Sequence, residues 1–151
     1  MVFSIAWHFF RDRDAAEEVA QDVFLELHRH LDSIESDSHM TNWLRRVASQ
    51  RCIDRTRRLK LMPRVGLDSA PEPTVHAEPG DTFLRERLDR LVEGLPDKAR
   101  IAVILRYQED MDIGEVAEAM GIPPGSVKST LHRALALLRE KLERTVKGAV
   151  R

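Results

Sequence analysis

Four of the seven prolines in this 151-residue chain fall within residues 62–80, at Pro63, Pro71, Pro73 and Pro79, with Gly66 and Gly80 beside them. Proline removes a backbone donor and pushes the residue before it toward extended geometry, so no helix or central strand can run through this stretch. The chain is therefore expected to form two small domains, residues 1–61 and 81–151, joined by a semi-rigid linker at 62–80. Hydrophobic residues at 42% suffice for a core, and charged residues at 32% suit a well-solvated helical protein. No apolar run approaches the roughly 20 residues of a membrane helix. The apolar opening Met1 to Phe10 lacks a basic start and a small-residue cleavage site, so no signal peptide is expected. The lone Cys52 excludes an internal disulfide and a Cys-rich zinc site, which fits a reducing cytoplasm. Aromatic residues at 5% are too few for an extended base-stacking platform.

In the first half, Asp12 and Asp14 offer N-cap oxygens, and Glu17 and Glu18 suit the positive end of a helix dipole. Ala16, Val19, Ala20, Val23, Phe24, Leu27 and Leu31 then recur at three- and four-residue steps as one wide apolar stripe, with Gln21 and Leu25 off it. A third helix is expected from near Thr41. It carries Trp43, Leu44, Val47, Ala48 and Cys52 inward, and Arg45, Arg46, Arg51, Arg55, Arg57 and Arg58 outward. Trp43 reads as a core anchor and Asp54 as the structural ion-pair partner of neighbouring arginines.

The second half opens with a helix from about Asp81 to Glu93, broken at Gly94-Leu95-Pro96. Another is expected from Asp97 to about Gln108, with Ile101, Ile104 and Leu105 inward. Residues Asp112 to His132 are the most informative. Asp112 can cap a short helix burying Ile113, Val116, Ala117 and Met120, and Gly121 supplies a left-handed residue after it. Ile122 fills the gap, and Pro123 and Pro124 prepare a second helix, where a missing N–H costs nothing. That helix buries Val127, Leu131, Ala134 and Leu138 and leaves Lys128, Ser129, His132 and Arg133 outside. A short helix, a glycine turn and a longer helix with a polar outward start make a helix-turn-helix, whose second helix enters a DNA major groove. The fold class is all-α.

The formal net charge of −1 argues against a nucleic-acid partner, but it is a cancellation. Residues 11–37 carry three basic and nine acidic side chains, and residues 38–61 seven and one. Residues 81–118 carry six and ten, and residues 119–151 seven and two. Each half thus pairs an acidic part with a basic one, and the positive charge falls on both proposed DNA-facing helices.

Three blocks resemble the bacterial sigma-70 superfamily, in its compact extracytoplasmic-function (ECF) group. They are Ala15-Ala-Glu-Glu-Val-Ala-Gln-Asp-Val-Phe24; then Trp43-Leu-Arg-Arg-Val-Ala with Ile53-Asp-Arg and Arg57-Arg58; and Leu95-Pro96 through Leu105-Arg-Tyr107 to the helix-turn-helix and Leu131-His-Arg-Ala134. The resemblance implies a sigma factor that binds core RNA polymerase and directs promoter-specific initiation. Its first domain docks on polymerase and opens the −10 element; its second, winged-helix-like, reads the −35 element. Glu17, Glu18, Gln21, Asp22 and Leu25 fall in the family's polymerase-docking segment. For the melted −10 strand the candidates are Asn42, Arg45, Arg46, Ser49, Gln50, Arg57 and Arg58, with the loop Ser33 to Met40 receiving an extruded base. Arginine neutralises phosphate and stacks on unpaired bases, which suits that task. For the duplex −35 element they are Ser126, Lys128, Ser129, His132 and Arg133, with backbone N–H groups at the helix start on phosphate. Arg100 and Arg106 are further phosphate candidates. Stretched out, the 19-residue linker reaches roughly 60–70 Å, close to two duplex turns of about 34–36 Å each.

The family generally has a longer first helix, often Asn where Gln50 stands, and often basic residues where Thr130 and Leu135 stand. An anti-sigma protein is implied as a further partner, and weak, salt-sensitive DNA binding is expected of the free chain. No membrane contact of its own, no catalytic residue, no metal and no cofactor are expected. His28 and His30 point to different sides of a helix, Cys52 reads as a core thiol, and Gly66, Gly80 and Gly94 are isolated. Two other readings stand beside the sigma factor: a helix-turn-helix regulator acting on duplex DNA without polymerase, and a helical protein-interaction module.

Overall fold

The computed structural model describes residues 1–62 and 81–149, and the linker expectation falls almost entirely outside them. Seven α-helices are present among the described residues: α1 (Val2–Phe10), α2 (Arg13–His30), α3 (Asp37–Leu61), α4 (Asp81–Glu93), α5 (Asp97–Val103), α6 (Ile113–Met120) and α7 (Pro124–Ala149). There is no strand among them, so any winged-helix likeness rests on helices alone.

Local chemistry sets each boundary. α1 buries Val2, Ile5, Ala6 and Phe9, a stripe at three- and four-residue steps. It ends at Arg11, which takes the left-handed conformation at φ 53° and sends its N–H to Trp7 O at 2.7 Å. Asp12 Oδ1 accepts from Asp14 N at 3.1 Å and starts α2. Ser36 Oγ accepts from His39 N at 3.1 Å and starts α3 four residues before the expected Thr41. This cap corrects the extrusion loop. Leu31–Ser33 is a 3₁₀ turn and Asp37 to Met40 is helix, leaving only Ile34 to Ser36 between them.

The apolar stripe of α2 also ends early. Val19 and Val23 are buried, whereas Phe24 and Leu31, expected inside, are 52% and 49% exposed. α1 has nine residues against eighteen in α2. At 1.5 Å per residue it covers about 13 of roughly 27 Å; the far half of α2 packs on α3 instead, with Glu26 on Arg51 and His30 beside Trp43, and this leaves Phe24 and Leu31 outside.

In the second half, Leu95 is buried at the break between α4 and α5. α5 opens into a five-residue π turn, Ile104–Gln108, rather than running on as an α-helix. Asp112 and Glu115 form a reciprocal capping box at the start of α6. After α6, Gly121 sits at φ 64°, and the Ile122 and Gly121 N–H groups reach Ala117 O at 3.1 Å and Glu118 O at 3.2 Å. That paired closure needs a left-handed residue, for which glycine costs least. The expected helix-turn-helix is formed by α6 and α7, with Val127, Leu131 and Ala134 buried.

The two halves share one core. Phe9, Val19, Val23 and Cys52 belong to the same apolar cluster as Ile101, Leu105, Val116 and Val127. α1 touches α4, α5 and the π turn, and α3 lies against α5 and α6 as well as against α1 and α2. Burying a side chain such as Phe9, which is fully enclosed, stabilises the fold by about 1.5–3 kcal/mol.

Candidate nucleic-acid and polymerase interfaces

The five docking candidates on α2 separate onto two faces. Glu17, Gln21 and Leu25 line an open groove with Ala20, Phe24 and Phe3 of α1. Leu25 is 59% exposed and Phe3 41%, and Glu17 is held by Arg13 at 2.8 Å. Glu18 and Asp22 turn toward α3 instead. Glu18 pairs with Arg55, and Asp22 lines a cleft with Arg51, Asp54, Arg55 and Arg58. Phe3 and Phe24 complete the apolar groove and were not among the expected docking residues. Phe24 was legible only as a stripe member, and Phe3 needs the α1–α2 packing to reach it.

The arginines of α3 divide as well. Arg51 pairs with Glu26, whose hydrogen bond raises the affinity of the guanidinium for its proton, and Arg55 pairs with Glu18. Both therefore face α2 rather than outward as expected. Asp54 forms no ion pair among the described residues; carboxylates of α2 take that role. Arg45 is paired with Glu115 at 3.2 Å. Ser49, expected to face DNA, is 1% exposed and donates to Arg45 O at 2.7 Å, which satisfies its hydroxyl inside the helix. Arg46, Gln50, Arg57 and Arg58 are exposed, and these three arginines form no ion pair among the described residues. At 100° per residue, Asn42, Arg46, Gln50 and Arg57 fall within one narrow sector, a line about 22 Å long. Trp43 is half-buried against the core, with the His30 ring 5.7 Å away.

On α7 the expected face is intact. Ser126, Lys128, Ser129, His132 and Arg133 are all exposed around the buried Val127 and Leu131. Ser129 Oγ donates to Gly125 O at 3.0 Å and retains its acceptor lone pairs for a ligand. The Ser126 and Val127 N–H groups, expected to grip phosphate, instead bond Pro123 O at 2.9 and 3.2 Å. Those two backbone donors are thus already engaged within the helix start, while the side chains around them remain exposed.

Arg100, a phosphate candidate, is engaged within the protein. Its guanidinium lies 4.7 Å from the Phe9 ring centroid and donates to Phe9 O, Glu93 O and Leu95 O at 3.2, 2.5 and 3.3 Å. It holds the α4–α5 break onto α1. Arg106 donates to Met111 O at 3.1 Å and steadies the loop before α6. Burial pushes the Cys52 thiol up to about 12, as suits an inert core thiol. No cluster of three or more His, Cys, Asp or Glu that could hold a metal occurs among the described residues.

Comparison with known proteins decides the family. Residues 1–61 match the model of sigma-70 region 2, and residues 85–138 match that of sigma-70 region 4. The RNA polymerase sigma-E factor of Streptomyces coelicolor is 34% identical over 129 residues, 84% of this chain and 71% of that protein. The chain belongs to the sigma-70 family. Its relatives place it in the ECF group: the ECF RNA polymerase sigma factor SigW of Bacillus subtilis is 28% identical over 156 residues, 93% of this chain and 82% of SigW. Two solved structures share its fold. The sigma factor RpoE of Bartonella quintana, solved with the anti-sigma factor NepR, aligns with a TM-score of 0.70 at 22% identity, over 94% of this chain and 89% of that one. CnrH, solved with the cytosolic domain of CnrY, aligns with a TM-score of 0.67 at 21% identity, over 95% and 80%. This ECF sigma factor is a non-enzymatic initiation protein that binds core RNA polymerase and promoter DNA. The polymerase-independent regulator and the interaction module are not favoured, because region 2 accounts for the half that those readings leave unexplained.

Proposed function

We propose that residues 1–61 dock on core RNA polymerase and hold the melted −10 strand, that residues 81–151 read the −35 duplex, and that residues 62–80 join them. The docking surface is the groove of Phe3, Glu17, Gln21, Phe24 and Leu25; an exposed apolar floor beside a charged rim suits a protein partner. The strand-holding line is Asn42, Arg46, Gln50 and Arg57, with Arg45 and Arg58 outside it, about 60° and 80° around the helix on its two sides. The observation that carries this reading is that Arg46, Arg57 and Arg58 stay exposed with no carboxylate partner among the described residues, while Arg51 and Arg55 of the same helix are paired. The −35 reading belongs to Ser126, Lys128, Ser129, His132 and Arg133. An anti-sigma protein is a further partner, supported by the complex of the structural neighbour RpoE with the anti-sigma factor NepR. The cytoplasm is the compartment. Core polymerase and promoter DNA, the partners of a sigma factor, support that compartment; separately, no helix among the described residues is long and apolar enough to cross a membrane.

Core-dependent run-off transcription on a set of selected promoters tests the whole reading. A stoichiometric complex with core and start-site-specific transcripts are expected. Tight duplex binding with no core association would overturn it.

A further inference from the structure

The outward face of α2 has an order of its own. Arg13, Glu17, Gln21, Phe24, His28 and Asp32 are all exposed. At about 100° per residue they share one sector, about 100° wide, along α2 and the turn that follows it. Their steps of 4, 4, 3, 4 and 4 residues read the same in both directions. Two such faces laid antiparallel, with Gln21 opposite Phe24 of a second copy, therefore also bring Arg13 opposite Asp32 and Glu17 opposite His28. Each contact occurs twice, as a twofold axis requires. A cation meets a carboxylate at both ends, and Glu17 meets an imidazole, which carries an N–H donor in either charge state.

Other arrangements of the same two helices lose these pairings. A parallel pair sets Arg13 beside Arg13 and Asp32 beside Asp32. Sliding the antiparallel pair by one turn puts Glu17 opposite Asp32 in one direction and Arg13 opposite His28 in the other. Between the polar ends lies the docking groove, where Phe24 is 52% and Leu25 59% exposed, with Phe3 and Ala20 beside them. In the twofold arrangement Phe24 of each copy enters the groove of the other. Arg13 is held only by Glu17 of its own helix and its side chain is 78% exposed, so it can turn to a carboxylate of a second copy.

We propose that the free chain pairs with a second copy through this face of α2, antiparallel and twofold, and that the pair withholds the polymerase-docking groove. The proposal rests on the assignment of that groove to polymerase and adds its regulation. One groove cannot hold polymerase and a second copy at once. Core polymerase therefore draws the chain out of its pair, and a high concentration of free chain limits its own loading. The interface is one helix face per copy, at the low end of interface sizes, and the pairing is correspondingly weak and reversible.

Charge exchange across the axis is the test, because Arg13 and Asp32 lie outside the docking groove and outside the core. Sedimentation equilibrium of the full chain at low salt, over a wide concentration range, reads the dimer. Wild type is expected to dimerise, and Arg13→Asp should raise the dissociation constant about tenfold, since each altered pair is felt twice. Asp32→Arg alone should weaken association as well, whereas the two substitutions together restore opposite charges and should return it to the wild-type level. Core polymerase at equal concentration should give complexes with one chain per core and dissolve the dimer. Register is read by Arg13→Cys with Asp32→Cys. These positions are about 28 Å apart along one helix, and Cys52 is buried, so under a mild oxidant the double variant should cross-link between copies, faster than either single variant. A wild-type chain that stays monomeric, a loss that the exchange does not restore, cross-linking no faster in the double variant than in a single one, or core bound to an intact dimer each overturns the pairing. Failure to bind core overturns the docking reading instead, and leaves the pairing to be judged by sedimentation and cross-linking.

Discussion

α3 and α7 are both long, with 25 and 26 residues, and both carry the positive charge of their half. They use it differently. α3 lies between α2 and α6, so Arg45, Arg51 and Arg55 each find a carboxylate on a neighbouring helix. At the start of α7, by contrast, Lys128 and Arg133 form no ion pair among the described residues. A basic helix face is thus a nucleic-acid surface only where the fold leaves its cations without carboxylates. On α3 that leaves a narrow line; on α7 it leaves the whole polar face of the helix start.

The largest effect is expected where the two regions are joined. Phe9 is fully buried in the core common to both halves and lies under Arg100. Phe9→Ala should cost about 3–5 kcal/mol, seen as a single shifted transition in urea. Two separated transitions, with only the first half weakened, would show that the halves fold independently.

Next comes the unpaired line on α3. Arg46→Ala with Arg57→Ala should lower promoter opening about 10- to 100-fold, at about 1–3 kcal/mol for stacking and phosphate neutralisation that alanine cannot supply, while core affinity holds. Arg51→Ala, which removes a paired arginine, should lower opening far less. Permanganate footprinting of the −10 region beside a core-binding titration separates the outcomes. Equal loss of opening and core binding in the double variant would sink the strand assignment.

For α7 the expected change is one of slope as well as affinity. Lys128→Ala and Arg133→Ala should each weaken binding to a −35 duplex and reduce its logarithmic salt dependence by about 1 for every phosphate that the side chain had neutralised. An unchanged slope would move these side chains off the backbone and onto base edges.

The smallest effect concerns pH at the joint. Burial of His8, aided by Arg11 and opposed by Asp89 and Glu109, lowers its pKa below 6.5. The folded chain then binds the proton less readily than the unfolded one, so stability is full above pH 6.5 and declines as pH falls from there through the folded value. His8→Gln should remove that part of the decline in thermal unfolding between neutral and mildly acid pH. An identical decline in the variant would place its origin in other groups.

Much of this was readable along the chain. Asp112, Gly121, Pro123 and Pro124 act through local geometry, so the helix-turn-helix and the exposure of Lys128, Ser129, His132 and Arg133 followed from spacing. Ser49 and Phe24 were misplaced for opposite reasons. Ser49 is small and polar, yet its hydroxyl is satisfied by Arg45 O, which lets it sink inside. Phe24 continues an apolar period, yet it faces the open groove beside Phe3 of α1 instead of the core. Arg51 and Arg55 looked like an outer face because only three-dimensional packing brings Glu26 and Glu18 against them.

What the amino-acid order determined by itself is the helical content of the described residues, the caps and the local charge of each segment, since all depend on neighbours within a few residues. Which charges remain available was decided by tertiary structure alone. Partners such as Arg45 and Glu115 are 70 positions apart, and no periodicity records whether a distant carboxylate comes within reach of a cation.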